Sequence, residues 1–314
     1  MSFPFFATLG AHYPAAEIVT IAKPAFLPLL DLLPFPTTRL PFHKQDQPGL
    51  GGIIGFCRSH PELRDATVYF CLPPSLSSAL MGLASGARHR VGYRSDARGL
   101  LLTHKANPPT GIHRRQAYCQ LLSLYNGQPD VEIADPPLPA LPPLPAAGDS
   151  GQYIVLNPNA QASSRRLPFS KWSELLQPLG GQRFILIGTE ADRERNDRLQ
   201  ECLPTGSEYR NLAGATSIME LARLLAHSRG VISNDSGPAH LAAYVGARLV
   251  VFIGAADPVE TVQVGRDGSV LVLTAGADCA PCVKNECPLE TLVCLTELDL
   301  THQAPSIRKF LRLG

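Results

Sequence analysis

The 314-residue chain has no uninterrupted apolar run of membrane-spanning length; even residues 3–11 are too few and are broken by proline. It has almost no net charge, with 28 Lys plus Arg against 27 Asp plus Glu, which argues against a general nucleic-acid binder. The N-terminus lacks the basic region and small-residue cleavage site of a secretory signal, so a cytosolic location is expected. In that compartment the eight cysteines are expected to be reduced thiols rather than a disulfide scaffold. No internal repeat stands out. What the chain does have is 45% hydrophobic and 18% charged residues over a length that suits two domains, the profile of a folded α/β protein.

One proline-rich tract sets the domain boundary. Pro129, Pro136, Pro137, Pro139, Pro142, Pro143 and Pro145 forbid regular helix and sheet and favour an extended connector. The expected organisation is a first domain over 1–128, a linker over 129–150 and a second domain over 151–314. In the first domain, residues 17–23 (EIVTIAK) and 66–71 (ATVYFC) read as buried strands, and 76–86 and 112–125 as helices. In the second, strands are expected at 153–157, 183–188, 230–233 and 249–253. Helices at 171–177, 191–202, 218–226 and 238–245 alternate with them. Such alternation implies parallel sheets with right-handed crossovers. The first domain is irregular, because 2–12 reads as a helix ahead of the first strand, whereas a doubly wound domain opens on a central strand.

The densest chemistry lies at 233–258, SNDSGPAHLAAYVGARLVVFIGAADP, read as strand, polar turn, helix and strand. Pro238 opens the helix and Gly246 closes it. Free backbone N–H groups and the positive end of the helix dipole then face the C-terminal edge of a parallel sheet, where phosphates bind. Asp235, Ser236, Gly237 and His240 surround that point; simple helix capping accounts for only part of the cluster. Two more loops follow strand ends. NPNAQASSRRLPFSKW offers the hydroxyls of Ser163 and Ser164 and the permanent charges of Arg165 and Arg166, suited to phosphate oxygens or to an ordinary solvated basic turn. TEADRERND offers Glu190 and Asp192, as ribose acceptors or as ordinary partners of a helix dipole.

Together these segments resemble glycosyltransferase family 9, the ADP-heptose:lipopolysaccharide heptosyltransferases. The 233–258 stretch is similar to the family's Asp, Ser or Thr, Gly and His signature. SRRLP resembles its basic, aromatic and proline segment, with Leu167 in place of the aromatic residue. LPPSLSSALMGLASGARHRVGYRSDARGLLLT resembles its acceptor-domain stretch, and the CxxC segment its heptosyltransferase II branch. The resemblance implies the GT-B fold, two Rossmann-like domains facing across a cleft, with the C-terminal helix expected to pack back on the first domain. It implies inverting transfer of heptose from ADP-heptose to the lipopolysaccharide inner core, at Kdo or heptose on lipid A. No metal or other cofactor is implied, and peripheral contact with the inner membrane is compatible. On this resemblance Asp235 is the catalytic candidate, meeting the donor sugar or diphosphate. Ser236 and Gly237 hold the diphosphate with His240 nearby, Ser163, Ser164, Arg165 and Arg166 line the donor, Asp192 reaches the ribose and Thr216 the adenine pocket.

The same resemblance places a strand and a Gly-Asp loop carrying the general base before the helix at 2–12, and no residue here matches them. Two explanations are open: a start codon further upstream, or a product that binds donor and transfers poorly. The readings to separate are therefore a heptosyltransferase, a catalytically silent nucleotide-sugar binder and a GT-B transferase for another nucleotide sugar. Between 88 and 115 the first domain gathers Arg88, Arg90, Arg94 and Arg98 with Lys105, Arg114, Arg115 and three histidines against a single acid, Asp96. Such a face suits a phosphorylated, carboxylated acceptor, or is a solvated surface. Cys279, Cys282, Cys287 and Cys294 admit structural zinc, a labile disulfide pair or four free thiols.

Overall fold

The computed structural model describes residues 1–64, 66–128, 131–144, 150–266 and 268–313. The chain forms two compact units, Met1–Pro137 and Leu138–Gly314, divided inside the proline-rich tract. Of that tract, 129–130 and 145–149 lie outside the described residues; the rest is extended and held down on each side of the division. Val131 and Ile133 join the first unit's core, and Ala134 N donates to Thr8 Oγ1. His227 Nε2 donates to Leu141 O within the second unit.

The first unit runs α1 (Phe3–His12), β1 (Val19–Ala22), β2 (Thr38–Pro41), α2 (Gly49–Ser59), β3 (Val68–Phe70), α3 (Leu76–Ala84), β4 (His89–Tyr93), β5 (His104–Ala106) and α4 (Arg114–Asn126). Its strands are parallel and form two sheets, β1-β2 and β3-β4-β5. Their outer neighbours are settled, yet β1 and β3 each have one strand partner among the described residues. Val19 and Ile21 of β1 and Tyr69 of β3 nevertheless share one apolar cluster with Ile53, Phe56 and Met81 of α2 and α3. Phe70, on the other face of β3, packs with Phe5 of α1 and Leu122 of α4.

The second unit runs β6 (Tyr153–Asn157), α5 (Phe169–Leu176), β7 (Arg183–Leu186), α6 (Arg193–Leu199), β8 (Glu208–Asn211), α7 (Ile218–Ala226), β9 (Gly230–Asn234), α8 (Gly237–Tyr244), β10 (Leu249–Phe252), α9 (Pro258–Thr261), β11 (Val270–Leu273), α10 (Val293–Thr296) and α11 (Leu300–Phe310). All six strands are parallel, in the order β8-β7-β6-β9-β10-β11. This is the doubly wound order, with its switch point between β6 and β9. Both of those strands are buried along their whole length, which explains their continuous apolar sequences. The core beneath is built on Trp172, Phe184 and Phe252, the first and last in an edge-to-face pair 5.7 Å between centroids. After α8, Gly246 sits at φ +82° with Leu138 only 3.0 Å from where a Cβ would be, so a side chain there would be both strained and crowded.

The expected α/β class and every expected strand and helix are present. The C-terminal helix α11 packs against α5, and Leu300, Ile307 and Leu311 lie in the second unit's own core. Apolar residues line that face of the helix.

Candidate functional site

The two loops flanking the switch point are locked together by asparagines that end the buried strands. Asn157 Nδ2 donates to Ser233 Oγ at 2.9 Å and to Ser236 Oγ at 2.7 Å. Asn234 Nδ2 donates to Pro158 O at 2.7 Å, and its Oδ1 accepts from Leu167 N at 3.1 Å. A polar residue closing an apolar strand was the available signal for both; neither was singled out from sequence. Ser236 is the N-cap of α8, but its hydroxyl turns back to Asn234 O at 3.1 Å instead of capping. The first-turn N–H groups of α8 are therefore not satisfied by that side chain. Beside them Gly237 has open space where a Cβ would lie. This leaves the anion-attracting helix end accessible.

Asp235 stands beneath that helix end and is only 2% exposed. Its Oδ1 accepts from Gln263 Nε2 at 2.6 Å, and its Oδ2 pairs with Arg165 Nη1 at 3.1 Å. Gln263 Nε2 also lies 3.5 Å from His240 Nε2. Burial pushes the Asp235 carboxyl above the ordinary range, against the pull of the Gln263 bond and the Arg165 charge. The structure thus brings Arg165, Asp235 and His240 together through Gln263, which no motif announced. With one oxygen held by Gln263 and the other paired to Arg165, Asp235 is arranged to orient its neighbours.

Other expected donor residues bond to backbone groups. Ser164, 1% exposed, donates from Oγ to Lys284 O at 2.6 Å, and Ser163 Oγ donates to Asn285 O at 3.3 Å. Their hydroxyls therefore tie the 163–165 turn to the cysteine loop. Arg166 Nε donates to Ala160 O at 2.7 Å, bracing its own loop. Asp192 Oδ2 accepts from Thr189 N and Thr189 Oγ1 in a capping box at the end of β7. Gly188 is required there, since a Cβ would come within 2.8 Å of Asp192 Cβ and Asn159 Nδ2. Thr216 lies between β8 and Ser217, the N-cap of α7.

The basic stretch of the first unit does not form one face. Arg88 and Arg94 are exposed but stand at opposite ends of β4, roughly 20 Å apart for an extended chain of that length. Arg90 donates to Leu101 O and Ala87 O. Arg98, 1% exposed, is inside the unit and donates to Pro73 O at 2.6 Å, with Ser75 O and Cys71 O each at 3.5 Å. Carbonyl oxygens surround its guanidinium, so its expected acceptor contact is corrected to a structural one.

All eight cysteines are free thiols. Cys279, Cys282, Cys287 and Cys294 line one cavity with Ser164. Backbone N–H groups, that of Leu292 foremost, hold the Cys287 thiol below its ordinary range. Among the described residues no group of three or more His, Cys, Asp or Glu side chains is arranged to hold a metal ion. Among the described residues, too, no helix is long and apolar enough to cross a membrane.

Residues 61–293 match the profile of glycosyltransferase family 9 (heptosyltransferase). The chain is similar to lipopolysaccharide heptosyltransferase 2 of Escherichia coli K12, 28% identical over 303 residues that cover 88% of this chain and 85% of that protein. In three dimensions it resembles E. coli ADP-heptose lipopolysaccharide heptosyltransferase II, with a TM-score of 0.78 at 22% identity over 99% of this chain and 94% of that one. It also resembles an E. coli heptosyltransferase solved with ADP, with a TM-score of 0.71 at 19% identity over the same shares.

Proposed function

The chain belongs to glycosyltransferase family 9, the heptosyltransferases, and from that premise we propose that its second unit binds ADP-heptose and that the protein moves heptose to the lipopolysaccharide inner core. The observation that carries the donor reading is the meeting of Arg165, Asp235 and the open N-terminus of α8 at the switch point of a six-stranded parallel sheet. Arg165, with 30% of its side chain exposed, supplies a fixed positive charge, and the α8 N–H groups supply oriented donors. Both suit a diphosphate, whose charge must be balanced while the bond to the sugar breaks. Asp235 keeps Arg165 in place, and His240 lies one turn into α8 on the same side of the site. Thr216 and Asp192, at the ends of β8 and β7, are proposed to bound the nucleoside.

The first unit is proposed to take the acceptor, with Arg94 at the C-terminal end of β4 as its cation. The peripheral inner-membrane contact expected from sequence belongs with this acceptor, because lipid A is membrane-embedded. Titration of the purified protein with ADP-heptose, UDP-sugars and GDP-sugars, followed by release of ADP in the presence of an inner-core acceptor, tests the reading. Preference for a uridine or guanosine donor overturns the heptose assignment. Donor binding without ADP release favours a silent binder.

A further inference from the structure

Three residues at the donor site carry buried side-chain atoms without a hydrogen-bond partner: Arg165 Nε, Asp235 Oδ2 and Gln263 Oε1. Buried polar atoms are nearly always bonded, so unbonded atoms on three touching residues mark a network with a task beyond holding the fold. Gln263 is the least expected member. It follows α9 in the chain leaving β10, a third strand-end segment reaching the site, and it is 3% exposed.

The amide of Gln263 can sit only one way round. Its Nε2 donates to Asp235 Oδ1 at 2.6 Å and lies 3.5 Å from His240 Nε2. A flipped amide would set Oε1 against a carboxylate oxygen, acceptor to acceptor. Arg165 is held differently: Nη1 is 3.1 Å from Asp235 Oδ2 without the alignment of a hydrogen bond, and its side chain reaches toward solvent. The firm anchor of Asp235 is therefore the neutral amide, and the cation is the looser partner.

Resting on the reading of the site as a nucleoside-diphosphate sugar pocket, we propose that Gln263 is a positioning residue. It fixes the Asp235 carboxylate beside His240 without neutralising it, so that the second carboxylate oxygen stays charged and holds the guanidinium of Arg165 in place for the diphosphate. Chemistry limits the substitutes. A lysine here would neutralise Asp235, and a carboxylate would have to share one proton with it.

The test is the pH dependence of kcat/KM and of ADP affinity in Gln263→Leu and Gln263→Glu, with melting temperatures recorded for both. Gln263→Leu is expected to lose about 10- to 100-fold in kcat/KM at every pH, the effect of removing one hydrogen bond to a charged group. Gln263→Glu has nearly the same shape. It is expected to match that loss at alkaline pH and to recover toward wild type at acidic pH, where the new acid is protonated and donates to Asp235 as the amide does. Losses of equal size and without pH dependence in the two variants overturn the proposal, as does wild-type behaviour of Gln263→Leu. Should Gln263→Leu fail to fold, the profile of Gln263→Glu still decides. The ADP titration separates this inference from the substrate assignment: acid recovery of ADP affinity in Gln263→Glu, in a protein that transfers no heptose, keeps the positioning role and removes the heptose reading.

Discussion

The two units bury their parallel strands to different depths. In the second, β6, β9 and β10 are buried at every residue and run side by side in one six-stranded sheet. In the first, β1 and β3 are only partly buried and belong to separate two- and three-stranded sheets. Loops inherit the stiffness of the strands they leave. The loops after β6 and β9 leave the buried sheet and are cross-braced by Asn157 and Asn234, whereas in the first unit Arg90 and Arg98 bond to its own carbonyls. The second unit thus holds its strand-end loops from one continuous buried sheet, while the first spends Arg90 and Arg98 on its own carbonyls.

The strongest way to break this comparison is to remove Arg165. Arg165→Ala leaves Asp235 buried with only Gln263, and loss of one partner of a largely buried pair costs about 3 kcal/mol. A lower melting temperature and loss of ADP binding by calorimetry are expected; an unchanged ADP affinity would place the phosphate site elsewhere. Hydrogen exchange sharpens the contrast itself. Amides of β6 and β9 should exchange at least about 100-fold more slowly than those of β1 and β3, since local opening energies follow burial and pairing. Equal protection would erase the difference between the units.

Arg98→Lys probes the first unit alone. An ammonium cannot span the separate carbonyls of Pro73, Ser75 and Cys71, so a loss of about 2 kcal/mol is expected in denaturant melts, with little change in ADP affinity. The smallest expected effect concerns pH. The Asp235 carboxyl is raised above its unfolded value of 3.8 in the folded protein, so the native state holds that proton more tightly. Its stabilising share is complete below the unfolded value and is lost as pH rises through the raised native value. Asp235→Asn should therefore flatten the fall in melting temperature over that window while lowering transfer activity. A parallel pH curve would show that Asp235 does not titrate there.

Much of the second unit was legible because buried parallel strands have continuous apolar sequences with glycine and proline at the helix ends. What escaped has physical reasons. The strand β8, EYRN, is polar because alternate residues face solvent at the sheet edge. The helix α2, GLGGIIGFCRS, has too many glycines for its local propensity and is held by packing Ile53, Phe56 and Cys57 against α3. At the site, the Asp235 junction was readable because its elements adjoin in sequence. Gln263 was not, because only the turn after β10 brings it back beneath α8. The carbonyl partners of Ser163, Ser164 and Arg166 were not legible either, since a hydroxyl or guanidinium in a loop serves backbone carbonyls as readily as phosphate.

Arg98 leaves one more consequence. A guanidinium at the surface is quickly masked by salt, its reach limited to about 8 Å at physiological ionic strength. Arg98 lies instead inside the unit with the carbonyl oxygens of Pro73, Ser75 and Cys71 within reach, where added salt has little access to its bonds. Near the carboxyl end of β3 it works as a clasp, tying the chain at Pro73 and Ser75 back to the strand end at Cys71.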